Sequence, residues 1–214
     1  MWIPKHIGVI HNDDIVSGNY PNNKNCIKLG RKSYLNLFKV CKELGVEELT
    51  YYCYSIDAAK AYNYLHGHIY KEWVDIIKTI LQQGSSILVV GNTESASFPM
   101  ELLSFTSRGN LTRPNGIKVN FLINYSGQWD LENEILDTKI SLESYKAFRQ
   151  STRINSYEIQ KIDLILDFNS ENKSNDFLPV QSKESYHYKI NAELFNFRPI
   201  HIFNALQQWK RQNK

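Results

Sequence analysis

Three carboxylates stand where apolar runs have just ended. Asp13 and Asp14 close the stretch IPKHIGVIHNDD, and Asp167 closes DLILD. Adjacent carboxylates suit Mg²⁺ when a phosphate group shares the coordination. His11, two residues before Asp13, is a candidate general acid or base. Plainer roles fit the same residues. Asn12-Asp13-Asp14 turns a chain after a strand, and His11 is then expected on a loop facing solvent. Asp167 marks either a strand-tip site or polar drift at a position without a task. The aromatics Trp73, Phe98, Phe105 and Phe121 could line an apolar tunnel, but their helical and strand spacing makes them core residues first. His66 and His68, one residue apart, are not a metal signature by themselves.

The elements that must position these groups alternate between two periodicities. Short β-rich runs, His6 to Ile10, Leu49 to Tyr54, Ile87 to Val90, Lys118 to Asn124 and Ile162 to Leu166, alternate with helical patterns. That alternation calls for a parallel sheet with crossover helices. Tyr34, Leu37, Phe38, Cys41 and Leu44 follow helical spacing up to a stop at Gly45. Trp73, Ile76, Ile77, Ile80 and Leu81 mark a second helix, stopped by Gly84. Met100 to Thr106 reads as a short helix, Leu131 to Gln160 as helix with a mobile polar insert near Ser151 to Ser156, and Phe203 to Lys214 as a closing amphipathic helix. No repeat or linker interrupts the chain, so residues 1–214 are expected to form one α/β domain with a mostly parallel central sheet flanked by helices. In such sheets ligands bind beyond the C-terminal ends of the strands. That rule nominates four loops: His11 to Ser17, Ser55 to Ala61, Asn124 to Gln128 and Asp167 to Asn175.

Composition narrows the classes of partner. The 214 residues are 42% hydrophobic and 13% aromatic, which suffices for a core, and the net charge is +3. With a pI near 8.6 and its lysines scattered, the chain has no basic block to track nucleic acid, and at most peripheral membrane association is expected. Cys26, Cys41 and Cys53 suggest neither a disulfide framework nor a zinc site. There is no basic-then-apolar leader, so a cytoplasmic location is the expectation.

Two segments, GIKVNFLINYSGQWDL from Gly116 and DLILDFNSENKSNDFLPVQS from Asp163, resemble the last two core strands of the cis-prenyltransferases, the family of undecaprenyl diphosphate synthase. IPKHIGVIHNDD and LTYYCYSIDAAKAY fall where that family's other two signatures belong. Asn124, Tyr125, Gly127, Trp129 and Asp130 match its third signature. Asp163, Leu164, Ile165, Glu171, Phe177 and Leu178 match its fourth. Asp130 and Asp163 fall on framework positions expected to brace loops.

The departures fall on the residues that handle diphosphate. The family's essential Asp corresponds to Asn12 and the following Gly to Asp13. Its arginines correspond to Val16, Ala61, Gln128 and Asp167, its Gly-Gly pair to Asn169-Ser170, its second Arg of the last signature to Lys173 and its Ser to Asn175. The acidic metal ligand expected after Phe-Leu aligns with Tyr186. Bidentate arginine contacts are what hold diphosphate, and Lys173 is only a point charge.

The resemblance thus implies the cis-prenyltransferase fold, a dimer, and a rim of substrate-binding residues: Asn12, Ser55, Asn124, Asn169, Glu171, Lys173 and Asn175. Asp13, Asp14 and Asp167 are the candidate catalytic groups, and the metal ligands are unknown. The leading expectation is a non-catalytic member, either a partner subunit of a catalytic homologue or a binding protein for an isoprenoid. The rival is a repurposed Mg²⁺-dependent enzyme acting on a prenyl diphosphate by cyclisation or irregular coupling. A conventional elongating synthase comes third.

Overall fold

The computed structural model describes residues 3–11, 24–61, 66–95, 98–108, 116–136, 154–168 and 176–213. Six strands form one sheet: β1 (His6–His11), β2 (Glu48–Ser55), β3 (Ser86–Val90), β4 (Lys118–Tyr125), β5 (Leu164–Phe168) and β6 (Tyr186–Lys189). Their order is β3-β4-β2-β1-β5-β6, and every pairing is parallel. The helices are α1 (Lys24–Leu44), α2 (Ile56–Ala61), α3 (His66–Gln82), α4 (Gly127–Leu136) and α5 (Pro199–Gln212), with a 3₁₀ turn at Met100–Phe105. The expected α/β fold is the observed one.

Strand alternation divides the core into two layers. Ile7 and Val9 of β1, with Leu164, Leu166 and Phe168 of β5, face the layer built with α1, α3 and α5, whereas Ile10 and Ile165 face the opposite side. Strands covered on both faces read as continuous apolar runs, which is the pattern β1, β2 and β3 carry. α1 ends as its sequence demands. Gly45 takes φ +80°, and the bonds from Gly45 N–H to Lys42 O at 3.1 Å and from Val46 N–H to Cys41 O at 3.0 Å close a Schellman motif. Cys41 and Cys53 are buried and form no disulfide, as expected of small apolar side chains.

The end of the sheet where the strands begin is held by buried polar groups. His6 Nδ1 donates to the carbonyls of Gln160 and Lys161, so its Nε2 accepts from Thr50 Oγ1 at 2.8 Å. Asn120 Nδ2 then donates to Thr50 Oγ1 and to Glu48 Oε1, each at 2.7 Å. Arg108 completes the chain through Asn120 Oδ1 and an ion pair with Glu48 at 3.5 Å. Asp163 braces the β1 entry, accepting the N–H groups of Lys5 at 2.7 Å and His6 at 3.0 Å.

Several boundaries differ from the sequence expectation. Ser55–Ala61 is not a loop: Ser55 Oγ accepts the Ala58 N–H at 3.0 Å and starts α2, whose alanines favour helix. β5 begins two residues later than expected and runs through Asp167, because β1 and β6 both pair with it to that point. β6 itself has no counterpart in the sequence reading; its alternating YHYK run is short and half-exposed. α5 begins at Pro199, which supplies the fixed φ of a first helical position. Ser156, expected in a mobile polar insert, is fully buried and hydrogen-bonded.

Candidate functional site

The strand ends of β4, β2, β1 and β5 lie side by side, and they bring Asn124, Ser55, His11 and Asp167 to one edge of the sheet. Each arrives there for a local reason. His11 is the last residue of β1 and pairs with Phe168 rather than entering a solvent-facing loop. It is 6% exposed, and Tyr34 of α1 places its hydroxyl on His11 Nε2. The expectation of an exposed histidine is therefore corrected: β1 extends one residue further, and α1 covers its tip.

Asn124 is set by a register change. The β2–β4 ladder runs Tyr52 to Leu122, Tyr54 to Ile123 and Ser55 to Tyr125, so Cys53 and Asn124 are both skipped. Asn124 takes φ +55°, a left-handed conformation that asparagine tolerates better than most residues. Its Nδ2 donates to Asn92 O at 3.1 Å, while the Asn92 N–H donates to Asn124 O at 3.0 Å. The clasp ties the ends of β3 and β4. Gly91 makes it possible, since a Cβ there would lie 1.7 Å from Ile123 O.

α4 follows directly from this edge, and three N–H groups of its first turn are capped. Ser126 Oγ accepts the Trp129 N–H at 3.0 Å. The Gly127 N–H donates to Asp176 O at 3.0 Å, and the Gln128 N–H donates to the Asp176 carboxylate at 3.2 Å. A helix N-terminus attracts anions through its free N–H groups and dipole; here a carboxylate of the chain itself is the anion. Behind the turn, buried Asp130 accepts from Tyr125 Oη at 2.9 Å, from Ser156 Oγ at 2.5 Å and from the Ser156 N–H at 3.2 Å. Burial beside Asp130 holds the Tyr125 hydroxyl far above its ordinary pKa, so it stays a donor. Gln181 Nε2 closes the network on Ser156 O at 3.0 Å. Asp130 therefore braces the loops, as the sequence reading expected.

Asp167 is half-buried and pairs in register with Ile10 on one side and Lys189 on the other. Its side chain points to the sheet face opposite His11, because strand side chains alternate. Asn12, Asp13, Asp14, Asn169, Glu171, Lys173 and Asn175 lie outside the described residues. Among the described residues no group of three or more His, Cys, Asp or Glu side chains is arranged to hold a metal ion. Asp130 and Asp176 are committed to the fold; Asp167 is a further carboxylate at this edge, and Mg²⁺ there would need additional ligands such as Asp13 and Asp14. Tyr34 and Asp176 were not singled out by sequence reasoning. Tyr34 lies in an apolar helical pattern and reads as core, and nothing in the spacing of Asp176 signals that it turns back onto α4.

An all-parallel six-stranded sheet with polar groups at its strand ends makes this an α/β protein. The sequence profile described as "Putative undecaprenyl diphosphate synthase" matches residues 18–214, and the chain belongs to this family of isoprenoid metabolism. Two solved structures share the fold. A probable undecaprenyl diphosphate synthase from Campylobacter jejuni is 14% identical, with a TM-score of 0.71 over 98% of this chain and 96% of that one. Lavandulyl diphosphate synthase from Lavandula x intermedia, in complex with dimethylallyl diphosphate, is 15% identical, with a TM-score of 0.73 over 97% and 95%. No protein of curated function matches the sequence significantly. No helix among the described residues is long and apolar enough to cross a membrane.

Proposed function

We propose that this chain is a non-catalytic member of its family, which binds an isoprenoid at the strand-end edge and works as a dimer, with itself or with a catalytic homologue. One observation carries the reading: the described side chains of Ser55, Asn124, Asp176 and His11 at the edge are spent on the fold. Ser55 caps α2, Asn124 clasps β3 to β4, Asp176 fills the α4 N-terminus, and Tyr34 holds His11. The strand-end residues His11, Ser55, Asn124 and Asp167 include no arginine or lysine to grip a diphosphate. Lys173 is the remaining cation at a family position. The complex of the Lavandula enzyme with dimethylallyl diphosphate supports a prenyl compound as the ligand class.

Co-expression with a catalytic homologue, followed by size-exclusion chromatography and mass photometry, tests the pairing. A stable heterodimer that raises the homologue's prenyl-transfer rate is expected for a partner subunit. If the chain remains a homodimer, the isoprenoid-binding form of the proposal stands alone. If neither a heterodimer nor prenyl binding is found, the proposal fails.

A second reading is a repurposed enzyme, favoured by Asp167 at the tip of β5 beside Ile10, two residues before Asn12 and three before Asp13. Mg²⁺ held by Asp13, Asp14 and Asp167 would supply charge neutralisation for a departing diphosphate. Cytoplasmic location remains part of the proposal.

A further inference from the structure

An isoprenoid bound at the strand-end edge gains affinity by burying its tail, and the tail can descend only where the interior has room. On the side of α1 and α3, the way down from β1 begins at His11 and meets Tyr34 at once. Tyr34 is 4% exposed and packs edge-on against Trp73 at 4.6 Å and Tyr51 at 5.3 Å between ring centroids. Tyr51 in turn stacks on Phe121 at 5.6 Å. The way down from β2 is closed by Tyr54 against Tyr70 at 5.7 Å, with Tyr54 Oη fastened to Ala58 O at 3.0 Å.

The opposite face is filled in the same manner. Tyr52 lies 6.0 Å from both Tyr125 and Phe177, and Trp129 lies 6.1 Å from Tyr125. Rings at these separations are in contact, and a close-packed interior yields space only by displacing them.

We infer that Tyr34 closes the interior beneath the tip of β1, so that the ligand of this edge carries a short tail, dimethylallyl or geranyl, and not farnesyl or longer. This rests on the isoprenoid-binding reading. Tyr34 acts by volume, and its hydrogen bond to His11 fixes the ring in place. A longer tail enters only by displacing these packed rings, and that displacement costs affinity.

The test is calorimetric titration of the purified full chain with dimethylallyl, geranyl and farnesyl diphosphate, repeated with Tyr34→Phe and Tyr34→Ala. Wild type is expected to bind geranyl diphosphate about tenfold more tightly than farnesyl diphosphate. Tyr34→Phe keeps that preference, and Tyr34→Ala removes or reverses it. Should Tyr34→Ala fail to fold, Trp73→Leu opens the same stack and is read in the same way. Wild type binding farnesyl as tightly as geranyl overturns the inference while the isoprenoid reading survives. An unchanged preference in the opened variant overturns the assignment to Tyr34. A folded wild type that binds none of the three overturns the reading itself, and the inference with it.

Discussion

The carboxylate of Asp176 stands on the first turn of α4, 3.2 Å from the Gln128 N–H, with the Asp176 carbonyl 3.0 Å from the Gly127 N–H. One residue thus satisfies two of the four N–H groups that a helix start leaves free, at the end of the sheet where an anionic ligand is expected. Asp176, beyond β5, is thereby tied to the start of α4 beyond β4.

Asp176→Ala removes the side-chain half of this contact and leaves the backbone half. The expected loss is about 1 kcal/mol, a fall of about 2–4 °C in Tm for a chain of this size. Asp176→Asn keeps an acceptor and recovers part of it. Thermal denaturation of the three proteins checks the order.

His6 makes stability depend on pH. Burial lowers its pKa below the ordinary 6.5, and its Nε2 must remain an acceptor for Thr50. Above pH 6.5 folded and unfolded chains both carry a neutral ring, and this contribution is constant. Below 6.5 the unfolded chain takes up the proton first, so stability falls as pH drops towards the folded-state pKa. Glu48 and Asp163, which face the ring electrostatically, oppose the shift without cancelling it. Urea denaturation between pH 5 and 8 should show this slope in wild type and less of it in His6→Gln.

Arg108 and Glu48 are both almost fully buried, so removing one strands the other. Arg108→Leu and Glu48→Leu are each expected to cost about 3–5 kcal/mol. Replacing both partners by leucine should cost less than either single change, because the charge that remains, Glu158 at 4.0 Å from Arg108 Nε, is partly exposed and can be solvated. Chemical denaturation of the two single variants and the double variant completes the cycle.

Gly91→Ala places a methyl group 1.7 Å from Ile123 O, a clash that only separation of β3 from β4 relieves. A loss of about 3 kcal/mol is expected, and the Asn124 clasp should loosen with it. Hydrogen exchange at Asn92, whose N–H donates to Asn124 O, reads the second effect directly.

The sequence carried the fold because parallel strands buried on both faces, as in Ile7 to Ile10 and Ile87 to Val90, leave apolar runs that helical stretches do not. Boundaries were legible where the chemistry is local, as at Gly45. They were missed where a partner decides, as at β6, which is a strand because β5 offers it an edge. At the candidate site, the strand-end rule nominated the edge to which the sheet brings His11, Ser55, Asn124 and Asp167. Their surroundings were not legible. The burial of His11 depends on Tyr34, twenty-three residues away, and the cap on α4 comes from Asp176, forty-eight residues beyond Gln128. Such contacts leave no periodicity to read.

The central claim is that the edge binds an isoprenoid without turning it over. Its most direct test follows pyrophosphate release by the purified chain incubated with Mg²⁺ and allylic diphosphates, with and without isopentenyl diphosphate. The account predicts no release above a protein-free control while the chain remains folded and binds geranyl diphosphate. Release that depends on the protein and disappears in Asp13→Asn or Asp167→Asn would contradict it and establish a working enzyme.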